Sequence, residues 1–141
     1  MGYGSWVKNH SLKHKKIVQK LIKKGLDKEQ IIEYFDFDNM LKNELDFCLL
    51  YMQNKKCHDI ASLNCYLCSC PNFRFKDEGV KKIDKNIQYS FCDIDSKDGK
   101  QAIYGTSIHQ DCSNCSVPHH KAYVRKHFDY EWSKIMNKCI L

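Results

Sequence analysis

Cysteine is the residue in this chain that could do chemistry, and its spacing says what kind. Eight of the nine cysteines lie between positions 48 and 115. The densest run is Cys65-Tyr66-Leu67-Cys68-Ser69-Cys70-Pro71, and a second is Cys112-Ser113-Asn114-Cys115, with His119 and His120 just beyond. Thiolates separated by two residues on a tight turn reach one ion, whereas disulfide partners need longer loops and matched Cβ vectors. The spacing therefore predicts metal ligation, with pairwise disulfides as the competing reading.

Ligand arithmetic suggests two centres, or one binuclear centre. A structural zinc or an iron–sulfur cluster takes four protein ligands. Cys65, Cys68 and Cys70 supply three, and Cys57 or the adjacent His58 is the nearest fourth. Cys112, Cys115 and His119 supply three more in a C-x-x-C-x-x-x-H spacing, and Cys48 or Cys92 would complete them. Cys48 and Cys92 read equally well as buried core thiols, since free cysteine behaves as a small hydrophobe. His58 and His120 are either ligands or hydrogen-bond partners that orient ligands. Cys139 is expected to be free, and His10, His14 and His127 to be solvated or satisfied surface residues on helices. Imidazole beside cysteine pairs favours Zn2+, while the C-x-C step and Pro71 pull toward a 4Fe-4S cluster.

Three segments carry a resemblance. Lys56-Cys57-His58, Asn64 to Phe73, and Asp111-Cys112-Ser113-Asn114-Cys115-Ser116-Val117-Pro118-His119 resemble the cysteine-rich small domain family, a zinc-finger-like group from bacteria and archaea. The resemblance spans roughly Cys48 to the closing helix. It implies a metal role for Cys57, Cys65, Cys68, Cys70, Cys112, Cys115 and His119. It implies no reaction and says nothing of the lysine-rich N-terminal part.

The elements that must position these residues are read from periodicity. With 141 residues, the chain is long enough for one domain, with a lysine-rich helical part over 1–52 and a cysteine-rich core over 53–141. Residues 11–24 predict an amphipathic helix, with Leu12, Ile17, Val18, Leu21 and Ile22 on its apolar side and Gly25 as its stop. Asp27 to Gln30 has the form of a capping box for a second helix, and Asp38 caps a third reaching Met52. Residues 57–75 predict a loop held by ligands. Strands are expected over 88–94 and 102–108, joined by the turn 95–99 as one hairpin. A closing helix over 121–136 would bring Tyr123, His127, Trp132 and Ile135 to the core. The expected fold is thus a small, metal-stabilised α+β unit, mainly helical.

Composition narrows the function classes. No apolar run approaches the ~20 residues of a membrane span, and no secretory leader is evident, so a reducing, cytoplasmic setting is expected. Residues 1–26 hold seven lysines and no acid. Lys13, Lys16, Lys20 and Lys24 could contact nucleic acid, although a lysine face on a helix is more often merely solvated, and the segment lacks arginine. The reading that follows is a metal-binding protein, non-catalytic in balance, acting through a protein partner or cofactor pathway. An iron–sulfur redox or assembly protein and a zinc-dependent nucleic-acid binder are the alternatives. An enzyme would need a three-ligand metal with bound water, served by Asp111, Glu78 or His120.

Overall fold

Helix α1, Tyr3–Lys23, is set by a seam of inward side chains, and the computed structural model, which describes residues 2–141, shows which ones. Tyr3, Val7, His10, His14, Ile17 and Leu21 face inward, with Val18 beside them. The steps alternate four and three, which keeps them on one helix face. Leu12 and Ile22 are on the exposed side, contrary to expectation. The helix also starts eight residues earlier than Ser11. Both differences have one cause: His10 and His14 are buried core residues, not solvated ones. His10 stacks on Trp6 at 4.5 Å, and His14 stacks on Phe35 at 4.8 Å with the Tyr66 ring edge-on at 4.4 Å.

Helix α2, Lys28–Tyr34, opens with the expected capping box, Asp27 accepting from the Gln30 amide and Gln30 from the Asp27 amide. Helix α3, Phe37–Asn43, stops early, so the third helix does not reach Met52. Cys48 is extended, and a short 3-10 helix, Leu49–Gln53, ends at Asn54 in the left-handed region. The closing helix is likewise two pieces, α4, Lys121–His127, and α5, Trp132–Ile135. Trp132 is buried and Tyr123 and Ile135 partly so, while His127 is exposed, a surface residue as one of its two expectations had it and not a core contact.

The strands depart most from expectation. Among the described residues there are six short ones: β1 Phe73–Phe75, β2 Lys81–Ile83, β3 Asn86–Gln88, β4 Ser90–Cys92, β5 Lys100–Tyr104 and β6 Ser107–Asp111. The span 88–94 is split at Tyr89, where the chain passes from one sheet to another. The span 102–108 is itself bent at Gly105, whose positive φ of 65° makes the turn between β5 and β6. The 95–99 turn exists, but the strands on either side of it do not pair. Instead β4 pairs antiparallel with β1, and the four-stranded sheet runs β2-β3-β6-β5 with β3 and β6 parallel.

The core lies in the helical part and in the segment 63–67. Ile17, Leu21, Ile31, Phe35, Met40 and Trp132 enclose Tyr66 and Leu67, which are fully buried. Removing each such side chain from water contributes about 1.5–3 kcal/mol. The sheet adds little to this cluster, and Ile83, Ile103 and Tyr104 stay exposed. Among the described residues no helix is long and apolar enough to cross a membrane.

Candidate metal centre

Segment 63–67 carries Cys65 through the core because its backbone is tied on three sides. The Phe37 amide donates to the Leu63 carbonyl, the Cys65 amide to the Phe35 carbonyl, and the Asn64 amide to the His119 carbonyl, all at 2.8–2.9 Å. The Asn64 side chain, fully buried, donates to the Ile32 carbonyl and to Asp36 and accepts from the Tyr66 amide. Every polar atom of that amide side chain is engaged, as burial demands. His119 in turn donates from Nδ1 to the Asn64 carbonyl at 2.9 Å. Asn64 therefore fixes both the loop that bears Cys65 and the ring of His119.

Cys57, His58 and His119 form a cluster whose ligand atoms all lie within 4.8 Å of one another. That span is close to two metal–ligand bonds of about 2.0–2.3 Å placed end to end. His58 donates from Nε2 to the Cys112 carbonyl at 3.0 Å. A neutral imidazole has one N–H. Both rings give theirs to backbone carbonyls, so Nδ1 of His58 and Nε2 of His119 are bare lone pairs. They face Cys57 Sγ at 3.1 and 3.6 Å. Burial holds the His119 imidazole below the usual range, toward its neutral form. One thiol proton serves one of these nitrogens and leaves the other without a donor. A cation at the junction satisfies all three atoms, which is the arrangement in which carbonyl-anchored histidines bind metals.

This cluster stands at the rim of a cavity of about 370 Å³. Cys57, Cys68, Cys70, Cys92, Cys112 and Cys115 all line it, with His58 and His119. All nine cysteines are free thiols, Cys139 included, although Cys139 is buried and donates to the Cys70 carbonyl instead of lying loose at a terminus. Apart from Cys57, the thiols face the cavity more widely spaced; among the described residues no other set of three donors falls within 4.8 Å. Burial pushes the thiol of Cys70 up to about 11 and those of Cys65 and Cys112 up to about 12, so without an ion they are held protonated.

Two residues that the spacing did not single out touch these sulfurs. Tyr51 Oη is buried with no hydrogen-bond partner of ordinary geometry, although it lies beside Cys65. A protonated Cys65 is a poor acceptor; a metal-bound thiolate is a strong one, and Tyr51 would then be satisfied. Ser96 places its amide 3.5 Å from Cys92 Sγ and its hydroxyl 3.2 Å from Cys115 Sγ. Neither residue carries a local sequence signal, because each reaches its sulfur only through the fold.

The remaining candidates are dispersed. His120 is exposed and pairs with Ser116. Asp111 is occupied with Ser113 and lies 4.0 Å from Lys100, and no carboxylate lines the cavity. Lys20 is paired with Glu44, and Lys13 donates to the Asp46 carbonyl, while Lys16 and Lys24 are exposed. Comparison with protein-family models, with curated proteins and with solved structures gives no match.

Proposed function

We propose that this chain is a metal-binding protein, non-catalytic, in which Cys/His-ligated ions hold the cysteine-rich part together and present it to a protein partner or cofactor pathway in the cytoplasm. The observation that carries the reading is the junction of Cys57, His58 and His119, where two lone pairs and one thiol meet with both ring N–H groups already engaged. The unpartnered Tyr51 hydroxyl beside Cys65 supports it independently. Zn2+ fits the mixed imidazole and thiolate donors, and the resemblance to the cysteine-rich small domain family accords with that assignment. Bound zinc would supply charge compensation and cross-linking. Cys57, His58 and His119 would hold it, with the cavity thiols as further ligands.

The four-stranded sheet buries little apolar surface of its own, so the ions would provide much of the stability of the cysteine-rich part, on the order of 10 kcal/mol per structural zinc. Exhaustive chelation followed by thermal melting tests this. Loss of the cooperative transition is expected; a fold that survives complete metal removal would refute the reading.

A second reading, an iron–sulfur protein, is favoured by one feature: six thiols around a single cavity exceed the needs of one zinc ion. Anaerobic purification with elemental analysis separates the two. A brown protein containing iron and sulfide supports the cluster, and a colourless one containing zinc excludes it.

A further inference from the structure

The order of cysteines along the chain suggests one grouping of ligands, and the fold makes another. In sequence, Cys70 belongs with Cys65 and Cys68. In the structure, Ser69 and Cys70 have successive positive φ values of 89° and 62°, a left-handed reversal that non-glycine residues seldom adopt. It turns the chain between Cys68 and Cys70. Three residues on, β1 sets Phe73 opposite Cys92. Cys92 is joined to Cys115 through Ser96, and Cys115 closes a turn on Cys112 by donating its amide to the Cys112 carbonyl at 3.0 Å. On the other side, His119 leaves Cys112 and Cys115 and turns to Cys57.

We infer that the chain carries two metal centres of unequal lability: an exchangeable one formed from Cys48, Cys57, Cys65 and Cys68 with His58 and His119, and a structural one formed from Cys70, Cys92, Cys112 and Cys115. The inference rests on the metal-binding reading and assigns its ligands.

The neighbours of the thiols divide along the same line. Cys68 lies within electrostatic reach of Cys65, Cys57 and Cys48. Cys112 lies within reach of Cys70, Cys115 and Cys92. Two tyrosines give the same division from outside, Tyr51 beside Cys65, Cys48 and Cys68, and Tyr123 beside Cys70, Cys92 and Cys115.

The difference in lability follows from ligand number and exposure. The first centre has six donors for four positions, and Cys57 is exposed to solvent. A waiting imidazole can take the place of a departing thiolate, so an ion moves in or out without a bare intermediate. The second centre has four thiols for four positions. Cys115 is buried, Cys92 is fixed on a strand, and Ser96 aims donors at two of the sulfurs. Nothing there stands ready to replace a lost ligand.

The test uses the whole chain loaded anaerobically with zinc. One equivalent is withdrawn by a chelator, the accessible thiols are alkylated, and the modified cysteines are mapped by mass spectrometry. Labelling confined to Cys48, Cys57, Cys65 and Cys68, with Cys70, Cys92, Cys112 and Cys115 protected, is the expected result. Labelling spread over both sets, or falling first on the second set, overturns the partition while leaving metal binding intact. A chain that takes up no zinc overturns the underlying reading instead. The paired substitution Cys57→Ser with His119→Ala adds a second readout: it is expected to abolish the fast phase of zinc release and retain the slow one. Loss of both phases, or of neither, counts against two independent centres.

Discussion

Individual side chains here are legible through the state of their protons. Tyr51 needs an acceptor, and Cys65 Sγ is the atom placed to be one once it is ionised. In the zinc-loaded protein Tyr51→Phe should cost about 1.5–3 kcal/mol, the worth of a hydrogen bond to a charged acceptor. Chemical denaturation reads it, and a substitution that proves neutral would separate Tyr51 from any ligand. Cys68→Ser and Cys115→Ser should each lower zinc stoichiometry and destabilise the loaded protein by at least a few kcal/mol. Unchanged metal content and stability would show these sulfurs to be ordinary core thiols. His14 concerns acid. Its Nε2 donates to the Tyr66 carbonyl, its Nδ1 is buried without a partner, and burial pulls its value down to about 3. A neutral form favoured by folding contributes stability above the unfolded value near 6.5, and that contribution is lost as pH falls from there toward 3. Relative to wild type, His14→Leu should therefore show a flatter fall in stability between about pH 6.5 and 4. Parallel curves for the two proteins would mean that His14 does not titrate on unfolding.

Among the elements, those governed by neighbouring residues could be read before any coordinates, and those governed by distant partners could not. The α2 capping box is local, and Asp27→Ala should cost about 1 kcal/mol, measurable as a shift in denaturant midpoint at constant slope. No change would mean that α2 is held by packing alone. In α1, eight residues of true helix were hidden because His10 and His14 read as polar; an aromatic pocket built from Phe35, Phe47, Tyr66 and Trp132 decides otherwise. The strands are three to five residues long, too short for alternation to fix a register, and their pairing is chosen across the fold. The candidate Cys and His residues were legible for the opposite reason, since C-x-x-C is a local device. Which of them the fold brings together was not, because that depends on the reversal at Ser69 and Cys70 and on the return of His119 to Cys57.

At the scale of the molecule, lysine and cysteine are segregated. Net charge is +6, the first 26 residues contribute +7, and the rest is nearly balanced. Two lysines of α1 are already engaged within the fold, by Glu44 and by the Asp46 carbonyl. If the exposed remainder of that face binds nucleic acid, affinity for a duplex should fall steeply with added salt and fall further on replacing Lys16 and Lys24 together. Binding indifferent to salt, or to those replacements, would assign the face to solubility alone.

The pair of hydrogen bonds exchanged by Asn64 and His119 has a consequence for dynamics. It welds an imidazole at the cavity rim to the backbone that threads the hydrophobic interior. Occupancy at that rim would therefore be felt at a distance, as slower deuterium uptake by the amides of Asn64, Cys65 and Tyr66, so that the quietest stretch of the chain becomes its occupancy gauge.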